Sequence, residues 1–203
     1  MDLITLTQPS SPAAEAYRSL RTNLYFAGLE SPFKTLVIVA PSAIEQKGNA
    51  LANLALVMAQ ADRRVIAVDA DFRNPELHTL FGLGNELGLS AALASDRATI
   101  NLQSTSVPNL SILTSGPAPA IASDALNSKR MVAVIDALKQ QADLVLFNAP
   151  PISLASDAGI LASACDAALL VICNGKTRRE VAQAAKELLV RARTRVLGAL
   201  LLH

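Results

Sequence analysis

The chain has 203 residues, 51% of them apolar and 17% charged, with no tryptophan and a formal net charge of +1. That length suits one well-filled domain rather than two, and the near-zero charge removes the electrostatic case for a nucleic-acid partner. The longest apolar runs, such as Ala167 to Cys173, are strand-sized and fall short of the roughly 18 to 20 residues that a membrane span needs.

Residues 1–12 are polar, carry Pro9 and Pro12, and read as an extended N-terminal arm; residues 13–203 read as a single domain. No basic stretch followed by an apolar one marks a signal peptide. Ser11-Pro12 opens a helix from Ala13 to about Ala27, with proline in the first turn and the serine as cap. Glu15, Arg18 and Arg21 lie three apart on it and share a face. The plain reading is a solvated charged stripe; the functional one is a subunit contact. Leu36 to Ala40 then reads as a buried strand, and Ala50 to Ala61 as a helix. Strand, loop and helix with Lys47 at the loop's end form the layout of a phosphate-binding P-loop. Against G-x-x-x-x-G-K-[ST], however, the glycine positions hold Pro41 and Gln46, and the hydroxyl position holds Gly48, followed by Asn49.

Arg64 to Asp69 is a second strand, ending in Asp69-Ala70-Asp71-Phe72-Arg73. A short helix runs from Pro75 to Phe81 and stops at Gly82 and Gly84; another spans Gly88 to Ala94. The polar stretch Ser95 to Asn109 leads to a strand at Leu110 to Thr114. Ser123 to Leu138 is helical with a break near Ser128, and Asp143 to Asn148 is a strand ending at Asn148-Ala149-Pro150-Pro151. A helix over Ser156 to Ala164, a strand over Ala167 to Cys173, a helix over Thr177 to Arg193 and a strand over Arg195 to Leu202 complete the chain. This alternation predicts an α/β fold: a doubly wound, mainly parallel sheet with helices on both faces. Its ligand site belongs at the C-terminal strand ends, where Lys47, Asp69, Asp71, Arg73, Asn148 and Asp157 all fall. Cys165 and Cys173 lack metal-ligand spacing and read as buried thiols of a reducing compartment; a disulfide is the alternative, without support from the spacing. The abrupt stop at Leu201-Leu202-His203 reads as a domain cut from something longer.

Taken together, Glu15-Ala16-Tyr17-Arg18-Ser19-Leu20-Arg21, Asp69-Ala70-Asp71-Phe72-Arg73 and Gly175-Lys176-Thr177-Arg178-Arg179-Glu180 carry a resemblance. The chain resembles the cytoplasmic kinase domain of bacterial tyrosine kinases (BY-kinases) of capsular and exopolysaccharide biosynthesis, which belong to the MinD/ParA-like P-loop ATPases. The resemblance implies ATP and Mg²⁺ at Lys47, Gly48, Asn49, Asp69, Asp71 and position 148. It implies a homo-oligomeric ring joined through the E-x-x-R-x-x-R element at Glu15, Arg18 and Arg21. It also implies a transmembrane adaptor of the polysaccharide chain-length-regulator kind, and hence a place at the inner face of the cell membrane.

Three departures from the family stand out. Ala43 to Asn49 replaces a loop close to P-G-E-G-K-S-T, Asn148-Ala149-Pro150 replaces an acidic motif, and Leu202 stands where an asparagine often faces the adenine. Tyr17 and Tyr25 are the only tyrosines, so the family's tyrosine-rich tail is absent from this sequence. A P-loop turns successive N–H groups toward phosphate, and its glycines permit that; Ile44 at positive φ would be an outlier. Gly48 offers no hydroxyl for Mg²⁺, and Asn148 offers an amide oxygen where the ion prefers a carboxylate. The loop from Ala40 to Asn49 is therefore expected to be disordered or to aim few N–H groups at a common centre. Lys47 is read as a solvated lysine opening a helix, Asp69 and Asp71 as repelling each other or pairing with Arg73, Asp157 as a helix-dipole carboxylate and His78 as a packed helix residue. The expectation is a pseudoenzyme with no cofactor and no metal, acting as a regulatory or scaffolding component. The alternatives are an active ATP-dependent autophosphorylating kinase with an unorthodox P-loop, and a ParA/MinD-like positioning ATPase.

Overall fold

Three apolar pentapeptides, TLVIV, VIAVD and LVLFN, are buried along their whole length, as strands must be when helices cover both faces of a parallel sheet. They are β1 (Thr35–Val39), β2 (Val65–Asp69) and β5 (Leu144–Asn148), joined by β3 (Gln103–Ser104), β4 (Leu110–Leu113), β6 (Ala167–Cys173) and β7 (Arg195–Leu202). The computed structural model describes residues 3–43, 46–94, 99–152 and 156–202. Among these, the helices are α1 (Ile4–Thr7), α2 (Pro12–Glu30), α3 (Lys47–Ala59), α4 (Leu77–Phe81), α5 (Leu89–Ala94), α6 (Ala122–Leu126), α7 (Lys129–Gln141), α8 (Ser156–Ser163) and α9 (Arg179–Arg191).

The strands form one sheet in the order β3-β4-β2-β5-β1-β6-β7, all parallel except the β3–β4 pair. Because side chains alternate along a strand, the sheet divides the core in two. Val37, Val39, Val145 and Phe147 pack on the face covered by α7, α8 and α9. Leu36, Ile38, Leu144 and Leu146 pack on the face covered by α2 and α3. β1 lies between β5 and β6. The helix after β1 takes one face and the helix after β5 takes the other, which opens a crevice at their C-terminal ends.

The helix ends follow local chemistry. Ser11 Oγ accepts from Ala14 N at 3.2 Å with Pro12 as the first helical residue, and α2 runs on past Ala27 to Glu30. The break expected near Ser128 is a cap, since Ser128 Oγ accepts from Met131 N at 3.1 Å and starts α7. Gly82 ends α4 in the left-handed region at φ 64°, where a side chain would be strained. Cys165 and Cys173 are both buried and free. No described helix is long and apolar enough to cross a membrane.

Two expectations need correction. The described residues of the N-terminal stretch are not an extended arm: Ile4–Thr7 is a helical turn docked on α3. Leu3 is buried, and Thr5 N and Oγ1 donate to Asn53 Oδ1 at 3.0 and 2.9 Å. Asn53 is fully buried and donates in turn to Asn49 O at 2.9 Å. The helix forms because α3 offers a polar partner among apolar neighbours, a cause that no local pattern encodes. The polar stretch after α5 likewise contains β3, a two-residue antiparallel edge tied down by Gln103 Nε2 donating to Gly84 O at 2.8 Å. Asn53→Ala is expected to cost about 2 kcal/mol, since it strands the Thr5 donors, and to speed amide exchange through residues 3–7. Unchanged exchange there would mean that α1 is held by apolar contact alone.

Candidate functional site

Four segments converge at the crevice: the first turn of α3, the end of β2 with its following loop, the end of β5, and the start of α8. The β2–β5 register sets Asp69 beside Asn148. Asn148 Nδ2 donates to Asp69 Oδ1 at 2.9 Å while its Oδ1 accepts from Lys47 Nζ at 2.6 Å. A neutral amide suits this place because it can give to a carboxylate and take from an ammonium at once; an ionised aspartate there would repel Asp69.

Lys47 is 2% exposed. Its Nζ donates to Asp71 Oδ2 at 3.1 Å, to Asn148 Oδ1 and to Ala149 O. All three ammonium protons are therefore spent inside the protein. This overturns the expectation of a solvated lysine: the side chain points to the ends of β2 and β5, where Asp71, also 2% exposed, compensates its charge.

Asp69 and Asp71 do not pair with Arg73. Asp69 Oδ2 accepts from Glu76 N at 2.8 Å and Leu77 N at 2.9 Å, satisfying the first turn of α4. Burial pushes its carboxyl up, against the Leu77, Asn148 and Glu76 donors and the nearby Lys47 charge that pull it down. Asp71 Oδ1 accepts from Asn74 N at 3.2 Å. Arg73 reaches Asp157 Oδ2 in the first turn of α8 at 3.2 Å, so the Asp157 carboxylate has an ion partner as well as a helix dipole. His78 sits in α4 with Nε2 3.1 Å from Thr79 Oγ1. Asn49 turns away from the crevice, its Oδ1 accepting from Asn53 Nδ2 at 2.8 Å. The expectation for the loop from Ala40 to Asn49 falls partly on Ile44 and Glu45, which lie outside the described residues.

The sequence reading missed Glu76. Its carboxyl lies directly over Gly48, so close that a Cβ built there would stand 2.2 Å from Oε2. Burial pushes this carboxyl up to about 7, Asp69 and Asp71 adding to the shift while Lys47 and the Gly48 amide oppose it. The only signal was a carboxylate after Pro75 and a missing side chain at 48, which become a pair only once folded. Among the described residues, no group of three His, Cys, Asp or Glu side chains is placed to hold a metal ion.

On α2, Arg18 pairs with Glu15 at 2.8 Å and donates to Pro9 O. Arg21 Nη1 donates to Val57 O at 3.0 Å, binding α2 to α3. The shared face is thus already engaged within the chain, most firmly at Arg21.

A mainly parallel sheet whose first strand feeds a lysine-opened helix at the switch crevice is a doubly wound α/β domain, and the cell division ATPase MinD of Pyrococcus furiosus shares the fold at a TM-score of 0.71 (22% identity, 83% of this chain, 71% of that one). No family model matches the sequence. The tyrosine-protein kinase YwqD of Bacillus subtilis is 37% identical over 201 residues, covering 98% of this chain and 85% of YwqD. The kinase domain of Escherichia coli tyrosine kinase ETK superposes with a TM-score of 0.94 at 30% identity, covering 100% of this chain and 80% of that domain. The chain belongs to the bacterial tyrosine-protein kinases.

Breaking the Lys47 centre should be costly. Lys47→Met leaves Asp71 charged and unpartnered by a cation, and a loss of about 3 kcal/mol is expected in urea unfolding. Lys47→Met/Asp71→Asn should recover most of it. A loss below about 1 kcal/mol, the range of exposed pairs, would place the ammonium in water instead.

Proposed function

We propose that this domain is a catalytically degenerate bacterial tyrosine kinase domain. In this reading it serves as a regulatory or scaffolding component of exopolysaccharide, lipopolysaccharide or capsule biosynthesis and export. The observation that carries the reading is the internal use of Lys47: its three protons go to Asp71, Asn148 and Ala149 O. A phosphate-binding lysine must present that charge to the nucleotide. Phosphoryl transfer depends on positioning and charge neutralisation, and Gly48 supplies no metal-binding hydroxyl while Asn148 supplies no carboxylate. The residues present therefore fit Mg·ATP poorly, and no reaction step is derived through it. The partners in this reading are further copies of the chain and a transmembrane chain-length-regulator-like adaptor, which would hold the domain at the inner face of the membrane.

A second reading is favoured by one observation: Lys47, Asp69 and Asp71 persist in a chain 37% identical to a tyrosine-protein kinase. In that reading the lysine swings out to the phosphates and the domain autophosphorylates. Calorimetric titration separates the two. We expect no Mg·ATP or Mg·ADP binding tighter than the millimolar range, since the glycine nest, the hydroxyl at 48 and the carboxylate at 148 are missing. A micromolar dissociation constant would establish the second reading.

Assembly is the property expected to persist without chemistry. The Glu15–Arg18 pair is solvent-facing on α2, and the same helix exposes Tyr25, Phe26 and Leu29. Such a face suits a neighbour that takes both ionic and apolar contact. We expect a homo-oligomer that forms without nucleotide and weakens with salt. Light scattering across protein concentration and ionic strength, against an Arg18→Ala/Arg21→Ala variant, measures it. Equal association of the two proteins at every concentration would remove α2 from the contact.

A further inference from the structure

We infer that the Glu76 carboxyl occupies the phosphate end of the crevice, and that Gly48 and Glu76 form an interlocked pair: the missing side chain at 48 makes the room that the carboxyl fills. This rests on the degenerate reading proposed above and gives it a mechanism.

The geometry starts from α3. Gln46 stands at the cap position without a side-chain cap bond, so the first-turn N–H groups of α3 have no capping oxygen from it. A helix start beside a lysine is where an anion settles in a P-loop. Here a carboxyl of the chain itself takes that place. Glu76 is the cap residue of α4, held there by its own N–H on Asp69 Oδ2 at 2.8 Å. Asn74 Nδ2 holds its Oε1 at 3.2 Å. Its Oε2 is buried over Gly48 with no hydrogen-bond partner among the described residues. Burial, with Asp69 and Asp71, favours its neutral form, and Lys47 and the Gly48 amide oppose them.

The fit is exclusive. A Cβ on residue 48 would stand 2.2 Å from Oε2 and 2.8 Å from both Cβ and Cδ of Glu76. The Cβ of Glu76 is fixed by the backbone of α4, so bending the carboxylate away would not relieve the contact. A serine or threonine at 48 is therefore incompatible with Glu76 in this position. Restoring the P-loop residues alone cannot restore the site, because the Glu76 side chain would still fill the phosphate end and collide with the restored hydroxyl residue.

The test is a set of variants: Glu76→Gly, which the cap position tolerates, Glu76→Gln, which keeps the volume and removes the charge, Gly48→Ser, and Gly48→Ser/Glu76→Gly. Calorimetry with inorganic pyrophosphate at about pH 8, where most of the Glu76 carboxyl is ionised, should show at least about tenfold tighter binding in one or both Glu76 variants than in the parent, the effect of removing one pKa unit's worth of like-charge repulsion. Thermal unfolding should show that Gly48→Ser lowers the midpoint in the parent but not in the Glu76→Gly background, a non-additive pair. If both Glu76 variants stay within about twofold of the parent for pyrophosphate and Gly48→Ser is equally tolerated in both backgrounds, the interlock is wrong. The two ideas fail separately: the parent's own affinity for Mg·ATP judges the degenerate reading, while the ratios between variants and parent judge the role of Glu76.

Discussion

The crevice is organised by one buried ammonium. Moving a lysine charge out of water costs several kcal/mol unless a counter-charge and hydrogen bonds replace the lost solvent. Asp71, Asn148 and Ala149 O together do this for Lys47. The arrangement extends outward from there. Asn148 passes its amide protons to Asp69, and Asp69 takes the orphan N–H groups of α4. The ends of β2 and β5 and the starts of α3 and α4 are thereby tied into one network whose centre is 2% exposed.

Such a network is in tension with the chemistry that its fold class supports. Binding a nucleotide by this lysine would require its protons to leave Asp71 and Asn148, uncovering a carboxylate in a dry pocket. A metal and a triphosphate could offset that, but Gly48 offers them no hydroxyl and Asn148 no carboxylate. The fold is shared with active ATPases and kinases, and a fold by itself does not confer activity. What distinguishes this chain is the chemistry of a few strand-end positions, with Glu76 filling the space that Gly48 leaves open.

The surface of α2 stands apart from that centre. Arg21 fastens α2 to α3 through Val57 O, while Glu15 and Arg18 face solvent as a pair. An element that buries Ala14, Tyr17 and Leu24 in the core and leaves its other face open can carry a contact apart from the crevice.

The architecture was legible in the sequence because its causes are local. Uninterrupted runs such as TLVIV and LVLFN can only be strands buried on both faces, and Ser11 and Ser128 start their helices through hydrogen bonds three residues away. The positions of Asp69, Asp71 and Asn148 at strand ends followed from the same alternation. The amide in place of a carboxylate and the missing loop glycines were visible as letters. The direction in which Lys47 points was not, because it depends on Asp71 and Asn148, which lie 24 and 101 residues away. For the same reason α1 was hidden, since Thr5 takes its shape from Asn53, and so was Glu76, an ordinary glutamate until α4 is set against the first turn of α3. Periodicity and caps belong to neighbours in the chain and can be read from it; the pairing of buried charges belongs to neighbours in space, and only the packed sheet decided which ones met.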